Sequence, residues 1–96
     1  MSPREDTMHL TVHATARATQ RGVPTEIIET IFVFGSEHPA PGRTLKLTLD
    51  QSAILLAAEG SSSRQSRLER YRDVYLVVGN EGRVLTVARR RHRNFN

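Results

Sequence analysis

The sequence predicts an α+β domain, with helices packed on one face of an antiparallel β-sheet. Three observations carry that expectation. In "RTLKLTLD", Leu45, Leu47 and Leu49 alternate with Thr44, Lys46 and Thr48, the two-residue period of a half-buried strand. "VYLVV", "GNEG" and "RVLTVARR" read as a hairpin around a glycine-flanked turn. "VPTEIIETIFVFG" opens on a proline, closes on a glycine and carries a broad apolar face between them, which is the grammar of a helix.

Taken in order, "MHLTVHA" alternates from His9 to Val12 and predicts a brief edge strand with Leu10 and Val12 facing inward. Ala14 to Arg21 predicts a short helix that Gly22 ends, with Ala14 and Ala18 forming a thin face able to press closely on a sheet. The main core helix follows Pro24, with Glu26 at its positive end and Ile27, Ile28, Ile31, Phe32 and Phe34 as its apolar face. Phe32 and Val33 alone would also suit a strand, but length and capping favour helix. "SEHPAPG" reads as a loop by its prolines and glycine. After the leucine strand, "QSAILLAAEG" loses its alternation and predicts an added helix in the middle, behind a cap at Asp50 or Ser52. Ile54 to Ala57 would also fit a strand. "SSSRQS" reads as a flexible connection, and "RLERYRD" as a polar turn of helix or an irregular approach to the hairpin.

The chain has 96 residues and no cysteine, so a single domain spanning 1–96 is expected, held by packing, with 1–7 and 92–96 as flexible ends. No apolar run approaches the roughly 20 residues that span a bilayer, and the first residues lack a signal-peptide pattern, so a cytoplasmic protein with no membrane partner is expected. The net charge is +4, and Lys46 is the only lysine beside thirteen arginines. A GC-rich genome favours arginine codons, so the ratio says less than the position of the charge. The C-terminal third holds most of the arginines against only Glu69, Asp73 and Glu81.

Two groups of residues carry chemistry. His13, Arg17 and Arg21 recur every fourth residue, so on a helix they share a face, where arginines could hold a phosphate while a histidine moves a proton. The same spacing suits a solvated polar face. At the C-terminus, strand alternation sets Val84, Thr86, Ala88 and Arg90 on one side and Leu85, Val87 and Arg89 on the other. Thr86 could present a hydroxyl to a shallow cleft, and Arg89, Arg90, Arg91 and His92 could bind phosphates by charge, unless the tail is simply disordered. Tyr71 and Tyr75 alternate with Arg70 and Arg72 as in stacking platforms, although Tyr75 equally suits core or sheet surface. His9 and His38 have no partners at metal-ligand spacing, and neither a nucleophile elbow nor a phosphate-binding glycine loop is present, so no metal and no cofactor are expected.

"HATARATQRGVPTEIIETIF" and "VYLVVGNEGRVLTVARRR" resemble a family of small bacterial domains of uncharacterised function related to the RelE/ParE toxin superfamily. Members open on a histidine, an arginine and "RG" before a helix, matching His13, Arg17 and Arg21-Gly22, and close on a strand whose threonine matches Thr86. Residues 50 to 70 are longer than the family's usual turn between strands, and "ARRR" is more basic than its usual ending. The resemblance implies two N-terminal helices on a curved antiparallel sheet, RNA in the cleft between them, and often an antitoxin partner. On that basis the chain is expected to be a toxin-like, metal-independent ribonuclease that cleaves RNA through its 2'-hydroxyl. His13 would be acid or base, Arg17 and Arg21 phosphate clamps, Thr86 and Arg89 to Arg91 the cleft lining, and His92 a reserve proton-transfer group. The alternative is a non-catalytic nucleic-acid- or protein-binding module on the same fold.

Overall fold

In the computed structural model, which describes residues 7–90, the chain begins with a two-residue strand, β1 (His9–Leu10), and then turns at once into helix α1 (Val12–Arg21). The turn is made by Thr11, whose hydroxyl accepts a hydrogen bond from the Ala14 amide at 3.0 Å and so caps the helix. Helix therefore starts two residues earlier than the alternation predicts, and Val12, expected to face inward, is 89% exposed on its first turn. Gly22 ends α1 in the left-handed conformation at φ 65°, which a residue without Cβ adopts freely.

Helix α2 (Thr25–Phe34) follows Pro24 and buries Ile27, Ile28, Ile31 and Phe32, while Phe34 reaches its exposed side. At Gly35 the chain leaves α2 so tightly that a Cβ would stand 2.5 Å from the Ile31 carbonyl oxygen and 3.1 Å from that of Thr48. The segment read as a loop is instead strand β2 (Ser36–Ala40), paired antiparallel with β3 (Thr44–Thr48). Its proline did not forbid the strand because β2 is the edge of the sheet, where one side of the backbone needs no partner.

Asp50 caps α3 (Gln51–Ala58) by accepting from the Ala53 amide at 3.0 Å. The serine-rich stretch expected to be a flexible link is the start of a further helix, α4 (Ser62–Glu69), with Ser61 as its cap. The serines favour a helix start because their hydroxyls satisfy free amides there. The middle of the chain thus holds two added helices, not one. They pack on each other and on α2, and Arg67 of α4 pairs with Glu26 of α2.

The hairpin forms as read, from β4 (Val74–Val78) and β5 (Arg83–Arg89), its turn closed by the Gly79 amide on the Arg83 carbonyl at 2.8 Å. The five strands take the order β1-β5-β4-β3-β2. An antiparallel sheet was expected, but β1 runs parallel to β5, with Leu10 beside Val84, so the sheet is mixed. One core fills the space between the helices and one sheet face, where Leu47, Leu76 and Val87 lie side by side across three strands. Burying side chains of this kind contributes about 1.5–3 kcal/mol each. No described helix is long and apolar enough to cross a membrane.

Candidate nucleic-acid interface

Helix α1 lies on β5 because Ala14 and Ala18, four residues apart, present no bulk and enter the same core as Val84 and Val87. Thr11 fixes where the helix starts along the strand: its amide donates to the Val84 carbonyl at 3.1 Å and its hydroxyl to the Leu85 carbonyl at 3.3 Å. The row expected to handle phosphate falls outside the buried stripe. His13 and Arg21 are exposed and Arg17 is half-buried, its guanidinium donating to Gln20 Oε1 at 2.9 Å. The His13 side chain makes no hydrogen bond or ion pair among the described residues.

Arg21 is brought to the end of β5, 68 positions away in sequence, where the Nε of Arg89 donates to its carbonyl oxygen at 3.2 Å. The same guanidinium makes two further contacts. Its Nη1 donates to Asp73 Oδ1 at 2.8 Å, with both side chains mostly buried, and its plane lies over the Tyr71 ring at 5.5 Å from the centroid. A charge-assisted bond of this geometry holds a cation in place and leaves little of it for a ligand. Arg89 therefore clamps α1 to β5, and its charge is balanced by Asp73.

Thr86 does not join His13. Opposite Val77 and Val78 of β4 stand Thr86 and Val84, so β5 carries one extra residue, Leu85, a bulge that shifts the alternation. Val84 and Val87 both face the core, whereas Thr86 and Ala88, opposite Val77 and Tyr75, face away from the helices. The expected grouping of Val84 with Thr86 is thus split, and Thr86 lies on the sheet face opposite α1. Arg90 continues the ladder through its amide to the Asp73 carbonyl at 2.8 Å and is exposed. The roles expected of Arg91 and His92, and the flexible ends apart from Thr7, lie outside the described residues.

The sheet face turned away from the helices holds a group that the sequence reading passed over. His38 of β2 bonds through Nε2 to the Thr48 hydroxyl of β3 at 3.1 Å, and beside them Lys46 lies with its ammonium 4.5 Å from the centroid of the Tyr75 ring. Asp50 ends the row. A hydrogen bond from the Ser36 side chain, and then the Ala53 amide, hold its carboxyl below the usual carboxylate range against the opposing effect of burial, with smaller help from the charges of His38 and Arg72. The signal was present as a two-residue period, Ser36 and His38 against Thr48 and Lys46, but Pro39 and Pro41 made the first half read as loop. Among the described residues no group of three His, Cys, Asp or Glu side chains converges as a metal site.

Comparison of the chain with protein-family models, with curated proteins and with solved structures finds no match.

Proposed function

We propose that this chain is a RelE/ParE-related, toxin-type domain that engages RNA along the exposed side of α1 and around the C-terminal end of β5. An acidic antitoxin would cover the same surface. The observation that carries this reading is the Arg89–Arg21 hydrogen bond, because it fastens the basic end of the last strand to the basic end of the first helix. Arg21 then stands beside the end of β5, with Arg17 one turn back on the same helix. Phosphates bound by several such cations release counterions, which supplies affinity without base-specific contacts.

Binding is what this geometry supports best. Cleavage through the 2'-hydroxyl is the second reading, and it draws its support from His13, Arg17 and Arg21 sharing the exposed side of one helix. At a rise of about 1.5 Å per residue, His13 and Arg21 are roughly 12 Å apart along the axis, so Arg17, midway, is the cation able to share one phosphate with His13. The imidazole would take the 2'-hydroxyl proton or supply one to the leaving 5'-oxygen, while Arg17 offsets charge on the phosphate. Thr86 and Arg89 stand outside that step.

The binding test is fluorescence anisotropy with a short single-stranded RNA between about 50 and about 200 mM salt, using wild type and Arg17→Glu/Arg21→Glu. The wild type should lose affinity steeply with salt, and the double variant should bind at least about 30-fold more weakly. Equal binding by both would remove α1 from the interface. Inducible expression of wild type and His13→Ala separates the two readings. Growth arrest and RNA cleavage lost only in the variant select cleavage, equal toxicity excludes His13 from it, and no toxicity from either selects binding.

A further inference from the structure

The sheet face opposite α1 carries a groove of about 410 Å³ lined by His38, Pro39, Lys46, Thr48, Asp50 and Arg90. These residues come from β2, β3, the start of α3 and the end of β5, and the proposed RNA surface uses none of them except Arg90 at its margin. We propose that this groove binds a phosphate group, either free inorganic phosphate or the monoester phosphate of a nucleotide, held by Lys46, Arg90 and His38.

Three features point to that ligand. First, Lys46 and Arg90 have no ion-pair partner among the described residues, whereas the ion pairs formed elsewhere engage Arg64, Arg67, Arg72 and Arg89. Lys46 and Arg90 both line the groove with His38, so an anion bound there meets two cations that no ion pair among the described residues engages. Second, the groove's one acid, Asp50, accepts from the Ala53 amide at 3.0 Å as the cap of α3, and against its single negative charge the lining sets Lys46, Arg90 and His38. Third, the donors are held in position. The Thr48 hydroxyl, in a residue only 8% exposed, fixes His38 by Nε2 and leaves Nδ1 for another bond, and the Tyr75 ring supports the ammonium of Lys46. A point-charge ammonium, a forked guanidinium and an imidazole suit the several oxygens of a tetrahedral phosphate better than the two of a carboxylate. The groove is larger than one phosphate ion, and the remaining space accommodates an ester substituent.

The test is a ¹H–¹⁵N NMR titration of the full chain with sodium phosphate and, separately, with adenosine 5'-monophosphate at constant ionic strength. Saturable shifts should appear at His38, Lys46, Thr48 and Arg90 and not along α1. Lys46→Gln and Arg90→Gln should each weaken binding about tenfold, the size of one charge-assisted contact. Arg90 is exposed and its ladder bond is made by the backbone, so that variant keeps the fold, which its own spectrum verifies. Arg17→Glu/Arg21→Glu should leave this binding unchanged even where it abolishes RNA binding, so the two surfaces succeed or fail separately. Tighter binding of the nucleotide assigns the monoester, and equal binding assigns the free ion. No saturation up to about 10 mM of either probe, the range of non-specific association, would overturn the proposal, as would shifts that survive both substitutions.

Discussion

Arg89 ends β5 and Arg90 follows it, yet the seam between α1 and β5 and the groove on the open sheet face use them in opposite ways. At the seam the guanidinium of Arg89 bonds to Asp73 and to the Arg21 carbonyl and lies over Tyr71, so its charge holds the structure together. One residue later the alternation turns Arg90 to the other face, where it lines a groove with Lys46, His38 and Asp50 and forms no ion pair among the described residues. A run of arginines in a sequence is therefore not one electrostatic feature. The pleat divides it, and the acid that happens to lie opposite decides which cation remains free for a ligand.

That contrast can be broken most severely at the seam itself. Ala14 is fully buried where α1 meets β5, so Ala14→Leu has no space to enter and should cost about 1–3 kcal/mol, or more where the helix is forced off the strand. Chemical denaturation would read this, and RNA binding measured on the folded fraction should fall with it if the seam aligns the basic surface. Next in size, Arg89→Ala leaves Asp73 partly buried without its partner and frees the Arg21 carbonyl, a loss of about 1–3 kcal/mol in the same measurement. A change below about 0.5 kcal/mol would show that Arg89 is not the clamp described.

Asp50 sharpens the other side. Asp50→Ala removes the cap of α3 and should cost about 1 kcal/mol, whereas Asp50→Asn keeps an accepting oxygen and should cost less. Because its folded-state pKa lies below the ordinary value of 3.8, the folded protein holds the proton less tightly than the unfolded chain. The resulting stability is present above that ordinary value and disappears as pH falls through the lowered one. Thermal melts between about pH 5 and about pH 2 should accordingly show a shallower acid loss for Asp50→Asn than for wild type. The smallest expected effect is that of Arg90→Gln, whose exposed side chain should move stability by no more than about 0.5 kcal/mol while weakening phosphate binding.

Much of the frame was legible beforehand for local reasons. The leucine strand, the helix behind Pro24, the Gly22 stop, a cap at Asp50 or Ser52 and the hairpin each depend on residues within a few positions of one another, and propensity, capping and alternation act at that range. The thin Ala14–Ala18 face also announced a helix lying close on a strand. Features set at longer range escaped. Prolines hid β2, because whether a proline-bearing strand is tolerated depends on its being at the edge of a sheet not yet assembled. The parallel pairing of β1 with β5 joins residues more than seventy positions apart, and no local pattern carries its direction. The Leu85 bulge left the hydrophobic composition of β5 unchanged yet moved Thr86 to the far face.

The sequence by itself determined which cations this protein has, that they crowd its C-terminal third, and that His13, Arg17 and Arg21 share one side of a helix, since spacing along a regular element sets those relations. Only the tertiary structure decided that Arg89 is neutralised by Asp73, that Arg90 faces Lys46 and His38, and that Thr86 is parted from His13 by the sheet. Such relations depend on strand order and register, and a single added residue in one strand reverses the face of every side chain beyond it.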